Sequence, residues 1–171
     1  MDIYITAPAT GHRAELSFGG QTAACALGKA GVAELKREGD GATPLGRFAL
    51  RKVWYRPDRE PRPDTALETR AIAEHDGWSD DPTDPAYNRR ITRPHPFGHE
   101  KLWRQDGLYD LFIEIGVNDD PPVAGRGSAL FLHLTPDFSP TRGCVAVARD
   151  TMLQILAGAT PDSHIVIASV E

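Results

Sequence analysis

The sixteen residues from Phe131 to Ala146 constrain this chain of 171 residues more than any other stretch. An apolar run of strand type leads to His133, and a Pro-containing loop then leads to Gly143 and Cys144. Cys144, one of only two cysteines, stands eleven positions after the histidine. A thiol attacks a carbonyl group as the thiolate, and a neighbouring imidazole accepts its proton. The stretch therefore indicates a cysteine nucleophile, Cys144, with His133 as its base.

Gly143 suits this chemistry, because it allows a tight backbone turn and leaves room for a substrate carbonyl group. We expect the N–H groups of Gly143 and Cys144 to hold the oxyanion that develops during attack. The alternative is structural: Cys144 is then a small core residue after a turn, and His133 is hydrogen-bonded in a core. The interval alone favours that alternative, because catalytic partners are defined by their positions in space.

Two motifs shift the balance towards catalysis. His133 followed by TRGCV at 141–145 resembles the signature of the L,D-transpeptidases, the YkuD-type enzymes of peptidoglycan. The segment GDGATPLGRF at 39–48 is similar to that family's G-D-x-x-T-P-x-G-x-F. The motifs occur in the family's order, and the resemblance extends from Ile3 to Ile167.

The resemblance implies a single catalytic domain over residues 1–171, mainly β, built as a mixed β-sheet sandwich with short helices. It also implies acyl transfer on peptidoglycan stem peptides. Cys144 would attack the carbonyl group of a diaminopimelate residue, release the D-amino acid behind it, and pass the acyl group to an amine. The product would be a 3→3 crosslink, or a 1→3 crosslink between L-Ala and diaminopimelate. Neither a metal nor an organic cofactor is implied.

Other outcomes stay open at this point. Water as the acceptor would make the same site an L,D-carboxypeptidase, and a free D-amino acid would make it an exchange enzyme. A non-catalytic peptidoglycan-binding domain is a third possibility, although such a module does not need a nucleophile. A papain-like protease requires its cysteine early and its histidine late, which is the opposite order.

The chain departs from the family pattern at three points: the interval from His133 to Cys144 is short, Arg142 replaces the common His, and Ala146 stands where many members carry Arg. A cation at position 142 has three possible roles: it lowers the pKa of the nucleophile, it binds a carboxylate of the stem peptide, or it points to solvent and contributes nothing. We favour carboxylate binding, since His133 already offers a route to the thiolate.

The least regular part is a Pro-rich loop insertion at about 56–98, which we expect to lie beside the cleft. Its acidic residues lack the spacing of metal ligands, so no metal site is predicted. HEKLWR at 99–104 is similar to one or two helical turns. The residues expected to contact the substrate are Arg142, Thr141, Trp78, Tyr87, Asn88 and Asn118.

Alternating apolar and polar residues predict strands over most of the remaining chain, with YDLFIEIGV at 109–117 the clearest example. A helix is predicted from Ala148 to Leu156. Two cysteines make no disulfide framework, so we expect both to be free and Cys25 to be a buried apolar residue.

A net charge of −5 gives no indication of nucleic-acid binding, and no apolar run approaches the roughly twenty residues of a membrane span. The N-terminus does not resemble a signal peptide. The resemblance implies a periplasmic or cell-wall location, and a cytoplasmic one stays open. The sequence does not indicate an oligomeric state.

Overall fold

The computed structural model of the protein describes residues 1–170. Within them, strands dominate and there is one helix, α1 (Arg149–Gly158). The strands are β1 (Ile3–Ala7), β2 (Arg13–Phe18), β3 (Gln21–Ala26), β4 (Val32–Ala33), β5 (Thr43–Pro44), β6 (Gly46–Tyr55), β7 (Thr69–Ala71), β8 (Asp76–Ser79), β9 (Arg90–Thr92), β10 (His99–Lys101), β11 (Leu111–Ile115), β12 (Phe131–Leu134), β13 (Val145–Val147) and β14 (His164–Ser169). The fold is mainly β, as predicted.

Nine strands form one mixed sheet in the order β11-β12-β13-β3-β2-β1-β14-β6-β7. The long strand β6 also pairs with β11, so the sheet closes on itself. β12 and β13 run parallel, and β13 pairs antiparallel with β3. Closure protects strand edges that would otherwise expose unpaired backbone groups.

The main core fills one side of this sheet. Buried side chains of alternating strand residues pack there with one face of α1, formed by Met152, Ile155 and Leu156. The helix expected from 148 to 156 is therefore confirmed, with its C-terminal end two residues later. Its three buried residues recur at the spacing of an amphipathic helix, which explains why the helix docks on the sheet.

A second apolar cluster occupies the opposite face of β6, β11 and β12. Because side chains alternate along a strand, Trp54, Phe112 and Phe131 point away from the main core, whereas their neighbours Val53 and Ile113 point into it. Phe112 stacks on Trp54 with ring centroids 5.9 Å apart and lies 4.5 Å from Phe131. This aromatic cluster forms the floor on which the site is built.

The segment 56–98 is more regular than the sequence suggested. It contributes β7, β8 and β9, and a separate three-stranded sheet has the order β10-β8-β9. The helical turn expected at 99–104 is wrong, because His99–Lys101 pairs with β8 as a strand. This small sheet packs on the aromatic cluster through Trp78, whose ring meets that of Phe131 edge-on with ring centroids 5.2 Å apart.

Within residues 1–170, the single helix α1 does not have the length and apolar character needed to cross a membrane.

Candidate active site

The parallel pairing of β12 with β13 brings Cys144 and His133 to one face of the sheet. His133 pairs with Ala146 across these two strands, so the two side chains are on the same face of the sheet. Cys144 lies two residues before Ala146, and its side chain is therefore on that face too. Both residues are buried, and Cys144 belongs to the aromatic cluster. The candidate nucleophile and base predicted from the sequence therefore share one wall of the site.

The sulfur of Cys144 is held by two backbone groups. Its thiol donates to the carbonyl oxygen of Ala129 at 3.3 Å, and it accepts a hydrogen bond from the N–H of Phe131 at 3.4 Å. Ala129 has a left-handed backbone, with φ of 51°, which turns its carbonyl group towards the sulfur. Within residues 1–170 no hydrogen bond joins Cys144 to His133, although a general base commonly lies within hydrogen-bonding reach of the group it deprotonates.

The imidazole of His133 is fixed in one tautomer. Its Nδ1 lies 2.8 Å from the carbonyl oxygen of Leu134, and a carbonyl oxygen only accepts, so Nδ1 carries the proton. The other nitrogen, Nε2, is then an unprotonated acceptor, which is the state that a general base requires. Tyr109 packs edge-on against the ring with centroids 5.4 Å apart and restricts its rotation.

Burial sets the protonation state of both groups. Burial lowers the pKa of His133 to about 4, so the imidazole is neutral at pH 7. Burial, assisted by the nearby carboxylate of Glu100, raises the pKa of the Cys144 thiol to about 12. The resting site therefore contains a neutral thiol and a neutral imidazole, and not a thiolate–imidazolium pair.

The loop before the nucleophile is locked by threonine hydroxyls. Thr141 Oγ1 donates to the carbonyl oxygen of Cys144 at 2.7 Å and accepts the N–H of Gly143 at 3.0 Å. The hydroxyl of Thr43, from the GDGATPLGRF segment, lies 3.5 Å from the same carbonyl oxygen. Thus the two motifs meet at the nucleophile's backbone. The N–H of Gly143, which we expected to hold the oxyanion, already donates to Thr141 Oγ1. The N–H of Cys144 has no acceptor within residues 1–170.

Gly143 is required here for a steric reason. Its φ is +141°, and a Cβ at this position would lie 2.9 Å from the carbonyl oxygen of Ala42. A side chain is therefore excluded both by the backbone conformation and by the close approach of the neighbouring loop.

Two clefts meet at Cys144. The histidine cleft, of about 440 Å³, is lined by His133, Tyr109, Arg104 and Thr141 among others. The lysine cleft, of about 450 Å³, is lined by Lys29, Lys36, Glu38 and Gly41 among others. Four residues line both clefts: Asp80, Glu100, Arg142 and Cys144. Arg142 is exposed and its guanidinium has no hydrogen bond or ion pair within residues 1–170.

Four of the expected substrate contacts lie outside these clefts. Trp78 Nε1 donates to Asn88 Oδ1 at 2.9 Å, and the Asn88 amide donates to the carbonyl oxygens of Val117 and Asn118. The Tyr87 hydroxyl donates to Glu38. The Asn118 side chain bridges Val123 and Gly127. Their polar groups are engaged within the protein, so Trp78, Tyr87, Asn88 and Asn118 stabilise the walls around the site.

Sequence reasoning missed several residues of the clefts. Glu100 lies on β10, in the segment expected to be helical, and its Oε2 accepts the Tyr109 hydroxyl at 2.6 Å. Asp80 and His99 also line the histidine cleft. Only their residue types could have indicated a role, because the pairing of β10 with β8 that brings this part of the chain over the site is not visible in the local sequence pattern.

The set of His, Cys, Asp and Glu side chains within residues 1–170 includes no group arranged to hold a metal ion.

The two cysteines are both free, as expected. Cys25 is buried on β3, where it pairs with Val147, and it has the apolar role predicted for it. Burial raises its pKa to about 12, as for Cys144. The difference between the two cysteines is therefore access, since only Cys144 lines a cleft.

Comparison with known proteins agrees with the resemblance seen in the motifs. The model of the L,D-transpeptidase catalytic domain, YkuD, matches residues 9–167. No curated protein and no solved structure matches the chain. Because the match covers nearly the whole chain and includes both motifs, the chain belongs to the YkuD family of L,D-transpeptidase catalytic domains.

Proposed function

We propose that this protein is a cysteine-dependent L,D-transpeptidase acting on peptidoglycan stem peptides, with Cys144 as nucleophile and His133 as general base. One observation carries the assignment: Cys144 lies where two clefts meet, and His133 lines one of them. A reaction that joins a donor peptide to an acceptor amine needs two approaches to one sulfur. Peptidoglycan as the substrate also implies work in the periplasm or cell wall.

In the first step, Nε2 of His133 takes the thiol proton as the sulfur attacks the carbonyl carbon of diaminopimelate. The neutral, buried imidazole suits this role because Nε2 is free to accept. The C–N bond to the terminal D-amino acid then breaks, and His133 returns the proton to the leaving amine. The product is a thioester between Cys144 and the donor stem peptide.

The oxyanion of the tetrahedral intermediate needs a donor close to the sulfur. The N–H of Cys144 is open, whereas the N–H of Gly143 donates to Thr141. We therefore assign the oxyanion contact to Cys144 N–H and a conformational role to Gly143. Thr141 supports both by holding the loop.

In the second step, the acceptor attacks the thioester from the other cleft. A diaminopimelate amine gives a 3→3 crosslink, an L-Ala amine gives a 1→3 crosslink, and water gives a shortened stem peptide. A free D-amino acid gives exchange at the stem terminus. All four reactions pass through the same acyl-enzyme on Cys144, so only the identity of the final product distinguishes them.

Mass analysis of muropeptides after incubation with purified tetrapeptide and pentapeptide stems tests this function. We expect an acyl-enzyme on Cys144 and crosslinked dimers, both absent in Cys144→Ala. Cys25→Ala is the matched control and keeps activity, because Cys25 lines neither cleft. Turnover that survives in Cys144→Ala would contradict the mechanism.

A further inference from the structure

Glu100 is a carboxylate in the wall of both clefts, beside the sulfur. Its Oε2 accepts the hydroxyl of Tyr109, while Oε1 has no donor within residues 1–170 and is accessible from the clefts. A carboxylate oxygen held in position and left unpaired beside a nucleophile is an acceptor for a positively charged group of a ligand.

Burial in the wall of the clefts disfavours the negatively charged form of Glu100. Burial raises the pKa of Glu100, and the negative charge of Glu100 raises the pKa of Cys144. Titratable and charged groups face Glu100 from each packed element: Asp80, Arg104, Tyr109, Arg142 and Cys144. The acceptor of the proposed reaction is an amine, which is an ammonium ion at neutral pH and would compensate this charge.

We propose that Glu100 binds the ammonium group of the acceptor and removes its proton before the amine attacks the thioester on Cys144. This inference rests on the proposed function, and it assigns to the site a preference for amine acceptors over water. Tyr109 is a positioning residue, because its bond to Oε2 turns Oε1 towards the clefts.

The attacking nitrogen loses two protons during the acyl transfer. The ammonium ion gives one proton to Glu100, and the resulting amine forms a C–N bond with the thioester carbon as the C–S bond breaks. The new nitrogen loses a second proton to the departing thiolate, which restores the Cys144 thiol. Glu100 then releases its proton to solvent, and this release balances the proton that the amine of the departed D-amino acid takes up at neutral pH.

The test measures how the acyl-enzyme partitions between crosslinking and hydrolysis. With a tetrapeptide donor and an excess of amine acceptor, Glu100→Gln should lower the ratio of crosslinked to hydrolysed product by roughly 100-fold, the lower end of a general-base contribution. Formation of the acyl-enzyme from donor alone should be retained. The crosslinking rate of Glu100→Gln should rise with pH towards the pKa of the free amine, whereas the wild-type rate should level off earlier.

Two further variants separate this role from a structural one. Glu74→Gln removes the same charge from an exposed residue that lines neither cleft and should keep the wild-type ratio. Glu100→Asp keeps the carboxylate and should recover part of the ratio. An unchanged ratio in Glu100→Gln, or an equal loss of crosslinking and hydrolysis, would overturn the proposal. Absence of an acyl-enzyme in the wild-type protein would instead contradict the proposed function.

Discussion

At the scale of single residues, the proposed nucleophile and the proposed base are both uncharged at rest. The imidazole of His133 and the thiol of Cys144 are both buried, which disfavours their ionised forms. Lys36 and Arg104 lower the pKa of Cys144, but burial and Glu100 outweigh them. The thiolate is therefore expected to form only as proton transfer accompanies attack, which limits oxidation and unproductive alkylation of the resting enzyme.

Arg142 is expected to bind a carboxylate of the stem peptide. It is exposed and lines both clefts, whereas burial and Glu100 are the main causes of the raised pKa of Cys144. Arg142→Ala should raise KM about 10- to 100-fold, which corresponds to the loss of a charge-assisted hydrogen bond of about 1.5–3 kcal/mol. Steady-state kinetics with stem peptides measure this change, and Arg142→Lys should recover only part of it.

Alkylation of Cys144 by iodoacetamide distinguishes substrate binding by Arg142 from activation of the thiol, because alkylation needs no substrate. Its rate at neutral pH should be the same in Arg142→Ala as in the wild-type protein. Arg126→Ala, which removes an exposed arginine outside both clefts, should leave KM unchanged. A several-fold slower alkylation with an unchanged KM would show that Arg142 activates the thiol instead.

At the scale of elements, the nucleophile depends on two loops in contact through their backbones. The loop at 141–143 carries Cys144 into β13, while Ala42, in the loop before β5, and Thr43, the first residue of β5, lie behind it. Gly28 also contributes, since its N–H donates to Thr43 Oγ1 at 2.8 Å. Hydrogen bonds from several chain segments thus hold the nucleophile's turn, which favours a fixed attack geometry.

Gly143→Ala should destabilise the protein more than an alanine at another glycine with positive φ. At Gly143 the new Cβ meets both an unfavourable φ of +141° and the Ala42 oxygen at 2.9 Å. We expect a loss of about 2–4 kcal/mol in the free energy of unfolding, measured by urea denaturation. Gly125→Ala is the control, because its φ is +80° with open space around it, and should cost about 1 kcal/mol. Equal losses would show that the contact with Ala42 does not matter.

At the scale of the whole molecule, two layers enclose the site. The closed sheet supplies His133 from β12 and Cys144 from the residue just before the adjacent strand β13, and the small sheet of β8, β9 and β10 brings Glu100 over them. The aromatic cluster between the layers ties one to the other. The burial that lowers the pKa of His133 and raises the pKa of Cys144 therefore depends on the packing of the small sheet against the closed sheet.

His133 should make the stability of the protein depend on pH. Its folded pKa of about 4 is below the ordinary value of 6.5, so the unfolded chain binds a proton more readily. This contribution is complete above pH 6.5 and is lost as the pH falls towards 4, by about 3 kcal/mol in total. Denaturant unfolding of wild type and His133→Asn between pH 4 and 7 measures it, and the curve of the variant should be flatter.

The matched control for that experiment is His75→Asn, since His75 is exposed. Its curve should run parallel to that of the wild-type protein. Two half-buried carboxyl groups with raised pKa values, those of Glu100 and Glu114, contribute in the opposite direction and are common to all three proteins. Parallel curves for His133→Asn and wild type would contradict the burial of a neutral imidazole.

The mainly β class, the family and the helix at 149–158 could all be predicted from the amino-acid sequence, and so could the candidate pair of Cys144 and His133. These follow from local properties: the alternation along β1, the apolar run of β11, the helical spacing of Met152 and Ile155, and two motifs that each lie within one short stretch. Both motifs could be read without knowing how the chain folds, because their spacing is set by adjacent turns and strands.

The other residues that reach the site could be identified only from the folded chain. The expected contacts Trp78, Tyr87, Asn88 and Asn118 are instead bonded within the protein, through partners as distant in sequence as Glu38, 49 residues from Tyr87. Glu100 enters both clefts because β10 pairs with β8. Pairing between strands from an irregular, Pro-rich segment depends on long-range hydrogen bonds and packing on the aromatic cluster, which local periodicity does not encode.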